Sequence, residues 1–291
     1  MILITGASGQ LSNLVLKKLL SHPPAKGEKL AASSRDTERI SHLEEKGVAI
    51  RQADYADKNS LIRAFRGVRK IFFVSGMAPN DERIVQHRNV VSAAVLAGVR
   101  HVCYTSFFNA SPDSKFLFAK VHHQTEEMLK SSGLTFTILR NSWYADLLLE
   151  GIAQTLKSGT FKAAAGNARI NSIPRVEIAN AAVRVLTSVG FGNATFNLTG
   201  PETFSYAEAV AWISEAYGKT VNYTEVNTEQ VRKLYGEDSP NGYKVNGIIS
   251  SYEAMLAGEY DVVSDDFEKI TGRKPQSVRE FIFEQASQQQ S

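Results

Sequence analysis

The chain has 291 residues, 43% apolar and 22% charged, with a net charge of +3. Its basic residues are scattered, which argues against nucleic acid, and a single cysteine, Cys103, excludes an internal disulfide and any multi-cysteine metal site. No apolar run approaches the roughly 18 residues of a membrane span, so no membrane partner is expected. Met1 to Thr5 is too short for a secretion-signal core, and the expected compartment is the cytoplasm.

Ile2 to Ile4 reads as a strand ended by Gly6-Ala7-Ser8-Gly9. From Gln10 the period changes: Leu11, Leu14, Val15 and Leu19 recur at helical spacing up to His22-Pro23-Pro24. Strands over 29–34, 48–50, 71–74, 102–105 and 134–139 then alternate with helices over 36–46, 61–65, 81–97 and 115–130. On 81–97 the apolar positions are Ile84, Val85, Val90, Val91 and Val95. Such alternation with short connections builds a parallel sheet covered on both faces. Residues 1–145 are therefore predicted to form a Rossmann-like, doubly wound α/β domain.

After Asn141 the order changes. A helix is predicted over 144–156, strand-like pieces at 160–162 and 168–170, a helix over 176–189 and a strand at 195–198. An amphipathic helix over 206–217, an extended run at 221–226 and helices over 229–235, 250–256 and 264–270 follow. Turns fall at Ser239-Pro240-Asn241-Gly242 and Gly272-Arg273, and Gln288-Gln289-Gln290-Ser291 reads as a frayed tail. Residues 146–291 read as a smaller α+β substrate lobe, with the chain crossing back onto the first domain.

Gly6-x-x-Gly9-x-x-Ser12 stands after the first strand and opens the first helix. There one glycine permits a tight turn, a second lets backbone approach a pyrophosphate, and the helix N-terminus supplies free N–H groups and a positive dipole. A plain strand–helix turn also uses glycine, but placement within a βαβ unit favours a nucleotide. At the end of the second strand the first charge is Arg35, preceded by Ser33 and Ser34 with no carboxylate before them. A guanidinium there suits the 2′-phosphate of NADP(H), and the plainer reading is a solvated Arg opening the next helix.

Gly6 to Leu11, Arg35, Gln52-Ala53-Asp54-Tyr55, Gln86-His87-Arg88-Asn89-Val90, Tyr104-Thr105-Ser106 and Leu139-Arg140-Asn141-Ser142-Trp143-Tyr144 together resemble the NmrA-like branch of the atypical short-chain dehydrogenases/reductases. The nearest likeness is to its bacterial quinone-reductase type 2 subfamily, and it runs from Met1 to the Thr271–Pro275 segment. The resemblance implies that Gly6, Ala7, Ser8, Gly9, Gln10 and Leu11 embrace the pyrophosphate and that Asp54 and Tyr55 sit by the adenine. It places Ser75, Gly76 and Met77, with Thr105, along the middle of the cofactor. Asn141, Ser142, Trp143, Tyr144, Ala145 and Asp146 would lie by the nicotinamide. Two departures stand out: Ser12 and Ser142 replace glycines of the family pattern.

None of the ten tyrosines has Lys four residues on, so the Tyr-x-x-x-Lys alcohol-dehydrogenase pair is missing. Where that pair would lie, His122 and Glu126 share one helix face at i, i+4. They either relay a proton or brace the helix. His123 points about 100° away, toward the surface. Cys103 reads as a buried, inert thiol and Trp212 as core. Trp143 and Tyr144 could stack on a flat acceptor at the carboxyl edge of the sheet or pack between the lobes. No residue set suits a metal.

The expectation is an NADP(H)-dependent oxidoreductase passing hydride to a small flat acceptor, best a quinone, with His122, Glu126, Asn141 and Tyr144 as catalytic candidates. Quinones need little acid catalysis, because the hydroquinone anion is well stabilised. The alternatives are a non-catalytic NADP(H)-sensing regulator, and a carbonyl, imine or enone reductase using Tyr144 or His122 as acid. A homodimer is compatible with this reading.

Overall fold

The computed structural model describes residues 1–22, 28–236 and 242–290. The first half runs β1 (Ile2–Ile4), α1 (Gln10–Ser21), β2 (Leu30–Ser34), β3 (Ala49–Gln52), α2 (Lys58–Ala64) and β4 (Lys70–Val74), then α3 (Asn80–Leu96), β5 (His101–Phe107), α4 (Ala119–Lys130) and β6 (Thr135–Asn141). There follow β7 (Trp143–Tyr144), α5 (Ile152–Ser158), β8 (Thr160–Ala163), β9 (Arg169–Ile173), α6 (Arg175–Thr187) and β10 (Ala194–Leu198). The chain ends with β11 (Thr203–Ser205), α7 (Tyr206–Tyr217), β12 (Asn222–Glu225), α8 (Thr228–Tyr235), α9 (Tyr243–Leu256), α10 (Asp266–Thr271) and α11 (Val278–Gln290).

Seven strands form one sheet in the order β10-β6-β5-β4-β1-β2-β3, with every neighbouring pair parallel. The expected doubly wound architecture is thus present. Side chains of β1 alternate between two cores: Ile2 and Ile4 pack with α1 and α6, and Leu3 packs with α2 and α3 on the other face. The strand order reverses between β1 and β4, so a crevice opens at their carboxyl ends. A third core, built largely from residues after 144, joins Phe116, Leu148, Ile213, Tyr252 and Ile282. The later half also returns to the sheet, for β10 pairs with β6 and α6 packs on α1.

Several predicted elements differ. Residues 144–156 are not one helix: Trp143 and Tyr144 pair with Ser172 and Ile173, which holds them extended, and a 3-10 turn over Ala145–Leu149 precedes α5. The 36–46 helix is a 3-10 helix over Glu38–Lys46. On α3, Val85 and Val95 face solvent, and the buried stripe instead runs Arg83, His87, Val90, Val91 and Ala94. Those residues recur at helical spacing once two polar residues are admitted. Gln288 to Gln290 are the last turn of α11, and in the predicted turn at 239–242 the first three residues lie outside the described residues. Among the described residues, no helix is long and apolar enough to cross a membrane and no group of three His, Cys, Asp or Glu could hold a metal.

Candidate active site

The turn after β1 is shaped by Gly6, whose φ of +58° lies in the left-handed region. Ala7 N–H donates to the Ser33 carbonyl, which moors the turn to β2, and Gly9 N–H donates to the Gly6 carbonyl. Gly9 is the N-cap of α1, and no side chain caps the helix. The first N–H groups of α1, around Gln10 and Leu11, are therefore open toward the crevice. Ser12 is buried and its hydroxyl donates to the Thr5 carbonyl at 2.8 Å, so the serine ties helix to strand where the family pattern has glycine.

A cleft of about 570 Å³ runs along this edge. Of the expected residues, Gly6, Ser8, Gly9, Arg35, Asp54, Tyr55, Ser75, Gly76 and Met77 line it. Ala7 and Leu11 are buried beneath it. The wall is completed by Val74, Ala78, Pro79, Glu82 and Gln86, which sequence reasoning did not assign to the cofactor. Only Gln86, in the Gln-His-Arg-Asn run, carried a signal. Arg35 is exposed at the cleft, while the neighbouring Asp36 carboxylate accepts the Glu38 N–H and is occupied by its own helix start.

The floor is stiffened by a hydroxyl cluster. Tyr55 Oη lies 2.6 Å from Thr5 Oγ1 and donates to the Val74 carbonyl at 2.9 Å. Burial raises the Tyr55 phenol well above its ordinary pKa, so it stays neutral. Beyond β4, Ser75 N–H donates to Thr105 Oγ1 at 3.0 Å, so Thr105 braces the loop from beneath. Gly76 N–H donates to His87 Nε2 at 3.1 Å, so the proton sits on Nδ1, which donates to Thr125 Oγ1 at 2.8 Å. Burial, helped by Arg83, pushes His87 down to about 3.

At the carboxyl end of β6 the side chain of Asn141 is unsatisfied. Asn141 is 1% exposed and both atoms of its amide lack a hydrogen-bond partner among the described residues, although the Tyr144 hydroxyl lies beside it. Ser75 Oγ and Trp143 Nε1 are likewise buried and without a partner among the described residues. Trp143 stands edge-on to Phe107, Phe116 and Tyr260 at 5.0, 5.4 and 5.6 Å between ring centroids. The Ser142 hydroxyl turns away to donate to the Asn171 carbonyl. Tyr144 lies beneath the Arg175 guanidinium at 4.6 Å, and burial raises its pKa while Arg175 opposes the rise. Asp146 accepts the Arg175 backbone N–H, and Ala145 is core.

His122 and Glu126 share a helix face but not a partner. His122 Nδ1 lies 3.0 Å from Tyr104 Oη, and burial holds the imidazole well below its ordinary pKa, with Arg83 and His87 adding to the shift. Glu126 is fully buried and accepts Arg140 Nε and Nη2 at 2.8 and 2.6 Å and Ser106 Oγ at 2.6 Å. Cys103 is buried, and burial raises its thiol pKa. Trp212 is half-buried against Phe204.

An uncapped helix start, a glycine turn, an exposed guanidinium at the strand tip and, farther along the same sheet edge, a carboxamide unpaired among the described residues suit a phosphorylated dinucleotide. The NAD(P)H-binding family matches residues 6–188. The chain is 36% identical to quinone oxidoreductase 2 of Escherichia coli, over 97% of each chain. It is 33% identical to an NmrA-like family domain-containing oxidoreductase of Aspergillus flavus, over 96% of this chain and 93% of that one. The triphenylmethane reductase of Citrobacter sp., solved in complex with NADP(H), superposes with a TM-score of 0.90 at 36% identity, covering 98% of this chain and all of the other. The chain belongs to the NAD(P)H-binding, NmrA-like family of oxidoreductases.

Proposed function

We propose that the protein is an NADPH-dependent reductase of small flat acceptors, with a quinone as the substrate class. The observation that carries this reading is the unpaired Asn141 amide beside the aromatic group of Phe107, Phe116, Trp143 and Tyr260. A carboxamide with donor and acceptor both free matches the carboxamide of a nicotinamide, and Phe107 and Trp143, half-buried and backed by the buried Phe116 and Tyr260, border it with flat apolar surface. NADPH, when bound, supplies the hydride.

The protein's own groups position and shield. The open N–H groups of α1 hold the pyrophosphate, Arg35 holds the 2′-phosphate, and Asp54 and Tyr55 border the adenosine side. Asn141 orients the nicotinamide, and Trp143 and Tyr144 border the acceptor. Burial disfavours both the Tyr104 phenolate and the His122 imidazolium, so neither is a ready acid, and Glu126 is engaged by Arg140. The second proton then comes from water, which suffices for a quinone and spares the missing Tyr-Lys pair. In this reading residues 1–145 carry the cofactor, and residues 146–291 complete the acceptor side.

The test is NADPH oxidation by the purified protein against benzoquinones, naphthoquinones, an enone, an imine and a dye. Quinones should be turned over fastest. NADPH binding without oxidation by any acceptor would favour a sensor, and turnover of enone or imine alone would replace the substrate class.

A further inference from the structure

Arg83, on the inner stripe of α3, is a buried cation without an anion among the described residues. It is 3% exposed. Nη1 donates to the Gly76 carbonyl at 3.0 Å and Nη2 to Asn80 Oδ1 at 3.4 Å, while the buried Nε has no partner among the described residues. The acidic groups that act on it among the described residues are the phenols of Tyr243 and Tyr104, uncharged near neutral pH. An unpaired buried charge costs stability, so a fold that retains one has a use for it or loses by it.

The surroundings point to the use. Gly76, held by Arg83, lines the cofactor cleft. The guanidinium lies 5.0 Å over the Phe118 ring, Phe118 packs on Phe116 at 5.2 Å, and Phe116 packs on Trp143. Arg83 therefore stands where the cofactor cleft meets the aromatic group. Burial and the charge of Arg83 hold His87 and His122 below their ordinary pKa values, so neither adds a second cation beside it.

We propose that Arg83 is a specificity-determining residue that selects acceptors by charge: it favours flat molecules that are anionic, or become so on reduction, and rejects cationic ones. The proposal deepens the reductase reading and rests on it for the location of the acceptor. A neutral quinone that takes up a hydride, two electrons and one proton, becomes a hydroquinone monoanion and then takes a proton from water. A triarylmethane cation that takes up the same hydride becomes neutral. A fixed cation stabilises the first product and opposes the approach of the second substrate. A unit charge acting over roughly 10 Å at an effective dielectric of about 20 changes such an equilibrium by about tenfold.

The test uses Arg83→Gln, which keeps a donor for Gly76 without charge, and Arg83→Lys, which keeps the charge. Equilibrium dialysis on NADP⁺-saturated protein measures binding of the 2-hydroxy-1,4-naphthoquinone anion and of a triarylmethane cation. The unmodified protein should prefer the anion. Arg83→Gln should weaken the anion about tenfold and strengthen the cation by a similar factor, and Arg83→Lys should retain the original order. In turnover, kcat/KM for a neutral quinone should fall in Arg83→Gln while that for the cation rises. Equal losses for both probes would mean that Arg83 only braces Gly76, and that result, an unchanged anion affinity, or no anion binding at all would overturn the proposal. If no quinone is turned over but the dialysis pattern holds, the quinone reading falls and charge selection stands.

Discussion

Replacing Glu126 by glutamine keeps the size of a fully buried side chain on α4 and removes its charge. The carboxylate now accepts three bonds, two from Arg140 and one from Ser106, with Lys130 Nζ 3.7 Å away. A carboxamide has one acceptor oxygen, so at least one of these donors would face an NH₂ group. A lost charge-assisted bond is worth about 1.5–3 kcal/mol, and breaking a buried pair costs about 3–5 kcal/mol. Arg140 is 26% exposed and can turn toward water, so the loss should lie low in this range, about 2–3 kcal/mol. For a chain of this size that lowers Tm by roughly 4–10 °C. Calorimetry should register the fall, while kcat for the best quinone, measured well below the transition, should change less than about threefold. A carboxylate that moves a proton in the reaction would give the reverse pattern: a loss of kcat of about a hundredfold or more with Tm unchanged. That result would refute the assignment of Glu126 as a brace.

Arg35→Ala should remove most of a preference for NADPH over NADH of about 1–3 kcal/mol, or about 5–150-fold, by weakening NADPH alone. Titration calorimetry at two salt concentrations checks this, and equal affinities in the unmodified protein would show that Arg35 is only a surface residue. Gly9→Val should abolish NADPH binding and leave the circular dichroism spectrum largely unchanged: φ at Gly9 is −86°, which valine adopts, its Cβ comes 3.2 Å from the Gly6 carbonyl oxygen so that the turn must shift by a few tenths of an ångström, and the branched carbons fill the space of the phosphates. Burial pushes His87 down to about 3 and His101 down to about 4. The unfolded chain therefore binds more protons between about pH 6.5 and those values, so stability rises with pH across this window and is lost on acidification. Each histidine contributes up to about 1.4 kcal/mol per pH unit there. Urea titrations at stepped pH should show this slope, and His101→Gln should flatten it; an unchanged slope would count against a depressed His101.

The glycine turn, Arg35 at the tip of β2 and the parallel sheet were legible in the sequence because each is encoded within a few residues. A strand, a turn and a helix start follow one another along the chain, and the phosphate cradle is made of their backbone. The proposed acceptor side is different. Phe107, Phe116, Trp143 and Tyr260 lie on separate segments and meet only when β7 pairs with β9 and the second lobe closes on the first. Helical periodicity placed Val85 and Val95 on the inner stripe of α3, yet the fold buries Arg83 and His87 there. Pattern counts apolar residues, whereas burial of a charge depends on which remote groups receive its hydrogen bonds. The i, i+4 spacing likewise put His122 and Glu126 on one face, but Tyr104 and Arg140, from two different strands, draw them to separate partners. The sequence by itself determined where a dinucleotide's phosphates can lie, since that depends on local backbone. What stands around the proposed acceptor side, and which charges lie near it, was decided by tertiary structure, because contacts between distant segments set burial and electrostatics.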